Sequence, residues 1–329
     1  MTDSPHLDAA RNTQHSEQGA VPSAPAPSPL YKGRFAPSPT GPLHFGSLVA
    51  ALGSFLDART HPGQWLLRIE DLDPPREQSG ASDAILHSLE AHGLHWDGAV
   101  LYQHDRLEAY EVAARKLQQA GWAFPCACSR HEIADSGLRG LEGPVYPGTC
   151  RNGPPTGKPA RALRLRVPDA AVFEFEDALQ GTIRQDLARE IGDFVIRRAD
   201  GHFAYQLAVV VDDAYQGITQ VVRGADLLLS TPRQIYLQRR LELPTPFYMH
   251  LPVAVNATGE KLSKQTGALP LDDVKPTANL FRALRFLRQS PPRELQDAPT
   301  AELLCWAVGN WHAAALRGIL TSKTAQEYT

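Results

Sequence analysis

Across 329 residues the sequence has only four cysteines and a formal net charge of −3. It holds no run of about 18 apolar residues that could cross a bilayer, and its start lacks the apolar segment an export signal needs. So small a charge gives no overall attraction to phosphate, so any nucleic-acid binding must rest on local basic patches. Three cysteines, Cys126, Cys128 and Cys150, lie close together in the sequence. In a chain this poor in cysteine they suit a metal site in a reduced compartment better than a disulfide framework. Cys305 stands apart and is expected in the core. The missing apolar segments make the cytoplasm the expected location, with no membrane partner. What is present is a hydrophobic content of 43%, enough for a substantial core, in a length that suits two domains or one domain carrying an insertion.

Residues 1–32 are set apart as a tail, because their Ser, Pro and Ala cannot bury enough apolar area to offset ordering entropy. Tyr31 to Ala36 then reads as a short strand entering a Pro/Gly turn. Leu48, Ala51, Leu52, Phe55 and Leu56 follow with helical spacing. Trp65 to Ile69 is a second strand candidate ending in Glu70-Asp71-Leu72-Asp73, followed by a helix expected to start at the prolines and to place Ala84, Ile85 and Leu89 inward. Such alternation predicts an α/β fold with a parallel sheet, whose ligands bind beyond the carboxyl ends of the strands, where His44 and Glu70 both fall. Leu107 to Ala120 is a further helix, and the stretch from Cys126 to about Lys158 is rich in Gly and Pro with little periodicity. The β-branched run Phe203 to Val211 is read with the strands, as is Gln220 to Asp226. Ser230-Thr231-Pro232 offers a helix start. Leu280, Leu284 and Leu287 share one helical face beside Arg282, Arg285 and Arg288. The arginine row is a candidate RNA contact, and a solvated face is the plainer reading.

Two segments carry chemistry. In Arg34-Phe35-Ala36-Pro37-Ser38-Pro39-Thr40-Gly41-Pro42-Leu43-His44-Phe45-Gly46 the prolines restrict the backbone, while Gly41 and Gly46 permit close approach to a base or phosphate. A helix beginning near His44 would aim its amide N–H groups at that ligand. Lys261-Leu262-Ser263-Lys264 supplies mobile positive charge, which makes ATP the first candidate ligand. Arg34 and Arg223 are the candidates for selecting a carboxylate, since a guanidinium can donate two parallel hydrogen bonds. Cys126, Cys128 and Cys150 offer three thiolates, and both Tyr146 and His131 are available as the fourth ligand that a structural zinc requires.

The segment Arg34 to Gly46 resembles the glutamyl type of class I aminoacyl-tRNA synthetase, in which Pro-Ser-Pro-Thr-Gly precedes a His-Ile-Gly-His-type signature; Ser47 stands at its fourth position. Lys261 to Gln265 is similar to the Lys-Met-Ser-Lys-Ser loop of the same class. The resemblance implies a Rossmann-like nucleotide-binding domain with a zinc-bearing insertion and a short C-terminal helical region. It divides the chain at 33–125, 126–195, 196–255 and 256–329. It implies that His44 and Gly46 meet ATP, that Lys264 assisted by Lys261 binds its phosphates, and that Mg2+ accompanies the nucleotide. Arg34, Phe35, Ala36, Pro37, Ser38, Glu70, Tyr205 and Arg223 would line the L-glutamate site, with Glu70 facing the ammonium group. The resemblance also selects Tyr146 as fourth ligand beside Cys126, Cys128 and Cys150, through a shared Cys-x-Cys and Tyr-x-x-x-Cys pattern. Only residues 266–329 follow Gln265, too few for the large anticodon-binding region of a full glutamyl-tRNA synthetase. Together with Leu94 to Gly98, this narrows the resemblance to a short branch that activates glutamate without tRNA and esterifies it to the queuosine of tRNA(Asp). The competing expectations are a truncated enzyme charging the 3′ end of tRNA(Glu) and a glutamate-activating ligase with a non-RNA acceptor.

Overall fold

The computed structural model describes residues 1–2, 30–262 and 268–324. Most of the expected tail and Lys264 lie outside them. Strand β1 (Lys32–Phe35) leads through the Pro/Gly turn into α1 (Phe45–Arg59), and β2 (Gln64–Ile69) returns parallel to β1 with Arg34 opposite Leu66. After α2 (Ala81–Ala91), β3 (Leu101–Tyr102) pairs parallel to β2. The spacing of Leu48, Leu52 and Leu56 puts all three wholly inside, as expected for a helix covering a sheet. The prolines at 74 and 75 start only a short 3-10 turn, and α2 begins later, after Gly80, whose φ of 75° a residue with a side chain rarely adopts.

Helix α3 (Leu107–Gln119) is amphipathic and buries Tyr110, Ala114 and Leu117. The chain then leaves the parallel sheet through β4 (Ala123–Cys126), α4 (Arg130–Asp135), the short pair β5 (Arg139–Gly140) and β6 (Gly143–Pro144), and β7 (Ala162–Leu165). A hairpin of β8 (Val172–Asp177) and β9 (Gly181–Asp186) follows, then α5 (Leu187–Glu190) and β10 (Phe194–Arg197). Strands β4, β7 and β10 form a separate antiparallel sheet with β7 at its centre.

The run from Phe203 is not a strand. Residues Tyr205–Gln216 form helix α6, closed by Gly217 in the left-handed region at φ 67°. Its Val209-Val210-Val211 triplet disfavours helix intrinsically. Burial overrides that preference, because Leu207, Ala208, Val209 and Val210 are inside together with Asp212 and Asp213. The parallel sheet resumes with β11 (Gln220–Gly224), is covered by α7 (Thr231–Leu241), and continues with β12 (Phe247–Leu251). Thr219 joins β11 to β1: its N–H donates to the Lys32 carbonyl at 3.0 Å, and its Oγ1 accepts from the Lys32 N–H at 2.9 Å. On the far side, β8 pairs with β12 at Asp177 and Tyr248.

Strand β13 (Val253–Val255), helices α8 (Pro276–Phe286) and α9 (Thr300–Asn310), and β14 (Thr321–Lys323) complete the described chain, with β14 parallel to β13. Leu280, Leu284 and Leu287 are buried in the same core as Leu48, Leu52 and Leu251, while Arg282, Arg285 and Arg288 face outward. Cys305 is exposed, against expectation. Helix α9 turns Leu303, Leu304 and Ala307 inward and leaves Cys305 on its outer side.

Candidate functional site

A cleft of about 1050 Å³ opens where β1, β2 and β11 end. The described residues singled out in the sequence for nucleotide and glutamate all line it: Arg34 to Ser38, His44, Gly46, Glu70, Tyr205, Arg223 and Lys261. The first segment reaches it through Gly41, whose φ of 131° requires glycine. His44 caps α1, and its Nδ1 accepts the Ser47 N–H at 3.3 Å. A neutral ring accepting at Nδ1 carries its proton on Nε2. Gly46 makes room for that ring: a Cβ there would stand 3.1 Å from the His44 Cε1.

The lysine segment is anchored on both sides of residues 263–267, to β13 before them and to the first segment after them. Before it, Leu262 is buried and its N–H donates to the Ala254 carbonyl at 2.8 Å. After it, the Leu271 N–H donates to the Leu43 carbonyl at 2.9 Å, and Pro270 bridges to His44. Lys261 Nζ lies 2.5 Å from Asp226 Oδ2 at the cleft edge.

Arg34 and Arg223 occupy neighbouring strands in different electrostatic settings. The Arg34 Nε and Nη2 donate to the two oxygens of Asp213 at 3.1 and 3.3 Å. Arg68 reaches the same Asp213 at 2.8 Å and Glu70 at 3.3 Å, so two guanidinium groups and two carboxylates form one buried network. Burial opposes charge on Asp213, but Arg34 and Arg68 outweigh it and hold the carboxyl below its ordinary range. At Glu70 burial wins over the pull of Arg68 and Arg34, and the carboxyl is pushed up. Arg223 donates instead to His250 Nε2 at 3.1 Å, Thr231 Oγ1 at 2.8 Å, Tyr205 Oη at 3.4 Å and the Leu227 carbonyl at 3.4 Å.

Sequence reasoning missed Arg68, Asp213, Asp226, Asp177 and His250. Arg68 stands two residues before Glu70, and Asp213 closes an apolar run, so both carried a faint signal. Asp177 and His250 are brought to Arg223 by the pairing of β8 with β12, which no local pattern announces.

The second cluster lies away from the cleft. The sulfurs of Cys126, Cys128 and Cys150 are all within 4.8 Å of one another, and those of Cys128 and Cys150 are 3.6 Å apart. That is far beyond disulfide length and close to the roughly 3.8 Å edge of a tetrahedral thiolate site with bonds of about 2.3 Å. Tyr146 Oη lies 3.5 Å from Cys126 Sγ and 3.7 Å from Cys128 Sγ, and accepts the Cys150 N–H at 2.8 Å. The competing His131 is 85% exposed and paired with Asp135. The Arg164 guanidinium covers the Tyr146 ring at 4.2 Å and reaches Cys126 Sγ at 3.4 Å, a contribution of positive charge that was not foreseen.

Residues 31–285 match the family model for the catalytic domain of class I tRNA synthetases of the E and Q type. A curated relative from Dechloromonas aromatica (strain RCB), named glutamyl-Q tRNA(Asp) synthetase, is 60% identical over 85% of this chain and 94% of its own length. One of the same name from Aromatoleum aromaticum is 57% identical over 86% of this chain and 90% of its own. The crystal structure of a glutamate-tRNA synthetase from Elizabethkingia anophelis shares the fold with a TM-score of 0.74 at 21% identity, over 91% of this chain and 68% of that one. The chain belongs to the class I tRNA synthetase family, E and Q type, on the branch whose members carry the name glutamyl-Q tRNA(Asp) synthetase.

Proposed function

We propose that this protein activates L-glutamate with ATP, without needing tRNA, and transfers the glutamyl group to the queuosine base in the anticodon loop of tRNA(Asp). The observation that carries this reading is the meeting of the His44 turn, Lys261, Glu70 and Arg223 in one cleft. The first step is in-line attack of the glutamate α-carboxylate on the α-phosphorus, with pyrophosphate leaving. Nothing covalent is asked of the protein, so its work is positioning and electrostatics. His44 donates from Nε2 to a phosphate oxygen, α1 adds its N-terminal amides, and Lys261 with Lys264 takes the charge of the leaving pyrophosphate. The ammonium group of glutamate sits against Glu70, adding a second cation beside Arg68. Arg223 takes the side-chain carboxylate, and Arg34, Phe35, Ala36, Pro37 and Ser38 shape the rest of the site. A hydroxyl of the queuosine cyclopentene-diol then attacks the glutamyl carbonyl, and AMP leaves.

Cys126, Cys128, Cys150 and Tyr146 would hold one Zn2+, in a segment, 126–195, read as the insertion of a catalytic domain formed by 33–125 and 196–255. The zinc, when bound, supplies structural cross-linking of β4 to the loop before β7. Mg2+ would come with ATP. Among the described residues no helix is long and apolar enough to cross a membrane, and the cytoplasm, where tRNA is found, is the proposed location.

The test uses labelled glutamate and ATP with tRNA(Asp) containing queuosine, tRNA(Asp) lacking it, and tRNA(Glu). Labelling of the first alone is expected. Equal labelling of both tRNA(Asp) forms overturns the acceptor, and labelling of tRNA(Glu) favours charging at the 3′ end. For the metal, Cys150→Ser is expected to lower bound zinc from about one equivalent to well below half, and Tyr146→Phe to weaken it less. Full zinc retention in both proteins would remove the ligand assignment.

A further inference from the structure

We infer that Asp177 and His250 form a positioning pair that sets the guanidinium of Arg223 for glutamate, an inference that rests on the assignment of Arg223 above. Asp177 ends β8, and its Oδ1 accepts the N–H groups of Leu179 at 3.0 Å, Gln180 at 2.9 Å and His250 at 3.3 Å. Its Oδ2 lies 2.6 Å from His250 Nδ1, and both side chains are completely buried. A carboxylate anchored in this way can only accept, so His250 donates from Nδ1 and its Nε2 is an acceptor. That acceptor is 3.1 Å from the Arg223 Nε. Burial, with Arg223 adding to it, pushes His250 down to about 4, against the pull of Asp177, so the ring is neutral and remains an acceptor near neutral pH.

Arg223 gains three things from this arrangement. Its Nε is fixed by His250 and one Nη2 hydrogen by Thr231 Oγ1 at 2.8 Å, which locks the plane of the fork. The remaining Nη1 is directed towards Tyr205 Oη on the cleft wall. His250 holds the guanidinium without neutralising it, because the negative charge of Asp177 lies on the far side of the ring. A carboxylate placed directly on Arg223, as Asp213 is on Arg34, would compete with the substrate for the same donors. Nor does the pair belong to the glutamate site itself: neither Asp177 nor His250 lines the cleft. They act through Arg223.

Two amide substitutions separate the two ends of the histidine. In His250→Gln the amide oxygen falls near the former Nε2 and can accept from Arg223 while the bond to Asp177 is lost. In His250→Asn the amide nitrogen falls near Nδ1 and can donate to Asp177 while Arg223 loses its acceptor. Glutamate-dependent exchange between ATP and pyrophosphate gives both Michaelis constants. His250→Asn is expected to raise KM for glutamate roughly tenfold or more, the loss of about one hydrogen bond, with KM for ATP unchanged. His250→Gln is expected to keep KM for glutamate within about threefold of the parent. Asp177→Asn carries the same direction as His250→Asn and serves if that variant does not fold.

Equal effects of the two His250 variants, or parallel changes in both Michaelis constants, would overturn the pair as a positioning device. So would an unchanged KM for glutamate in His250→Asn and Asp177→Asn. Arg223→Ala is the control: if it leaves KM for glutamate unchanged, the assignment of Arg223 itself is wrong. If it raises that constant while the His250 and Asp177 variants do not, only the positioning pair is wrong.

Discussion

Arg34 on β1 and Arg223 on β11 border the same cleft from adjacent strands, and they are held by opposite means. Arg34 is 3% exposed and donates twice to Asp213 in a network whose two positive and two negative groups balance. Arg223 is similarly buried, at 6%, but the four hydrogen-bond partners described for it are a neutral imidazole, a hydroxyl, a phenol and a carbonyl. The difference separates two jobs that an arginine can do. A guanidinium paired with a carboxylate fixes structure, while one held by neutral acceptors keeps its charge for a ligand. Both arginines were expected at the acidic end of an amino acid. In the structure Arg34 is paired with Asp213, while the hydrogen-bond partners described for Arg223 are neutral.

The comparison is broken most severely at its balanced end. Arg34→Ala leaves Asp213 buried with one cation fewer, and a loss of about 3–5 kcal/mol in denaturant unfolding is expected. A loss below about 1 kcal/mol would mean that the network is not a structural unit. Next comes the pH dependence of the other end. An ordinary histidine takes up a proton near 6.5, whereas His250 in the folded chain is pushed down to about 4 by burial. Between these values the unfolded chain binds the extra proton, so this contribution is fully present above about 6.5 and fades as pH falls towards 4. The total is on the order of 3 kcal/mol. Urea midpoints measured from pH 7 to pH 4.5 should drop, and drop less in His250→Gln; parallel curves for the two proteins would contradict the buried neutral ring.

Arg223→Ala sharpens the contrast with Arg34→Ala. A rise in KM for glutamate of roughly 30- to 100-fold is expected from losing a charge-assisted contact, with a smaller loss of stability than Arg34→Ala causes. The smallest effect is expected at the cleft edge, where the Asp226 to Lys261 pair is part-exposed at 32% and 52%. Asp226→Asn should change stability by less than about 1 kcal/mol, read by thermal unfolding.

Much of this arrangement was legible because it is local. The prolines and glycines from Pro37 to Gly46, the helical spacing of Leu48, Leu52 and Leu56, and the Cys126 and Cys128 spacing each encode their own geometry, whereas Tyr146 was selected over His131 only through the family resemblance. Where the reading failed, the deciding contacts were distant in sequence. The Val209 to Val211 triplet belongs to a helix because its neighbours bury it, and Cys305 is outside because α9 turns other residues inward. Asp213 meets Arg34 across 179 positions, and Asp177 meets His250 across 73.

By itself the sequence determined which groups were available: a rigid turn with a capping histidine, a lysine segment, two arginines suited to a carboxylate, and three thiols with a phenol. Those follow from side-chain chemistry and from backbone preferences acting over a few residues. Tertiary structure alone decided which arginine is neutralised and which keeps its charge. That choice depends on whether a carboxylate or a neutral ring is carried to the guanidinium by the packing of α6 and the pairing of β8 with β12, and burial makes either partner decisive by removing the water that would otherwise screen it.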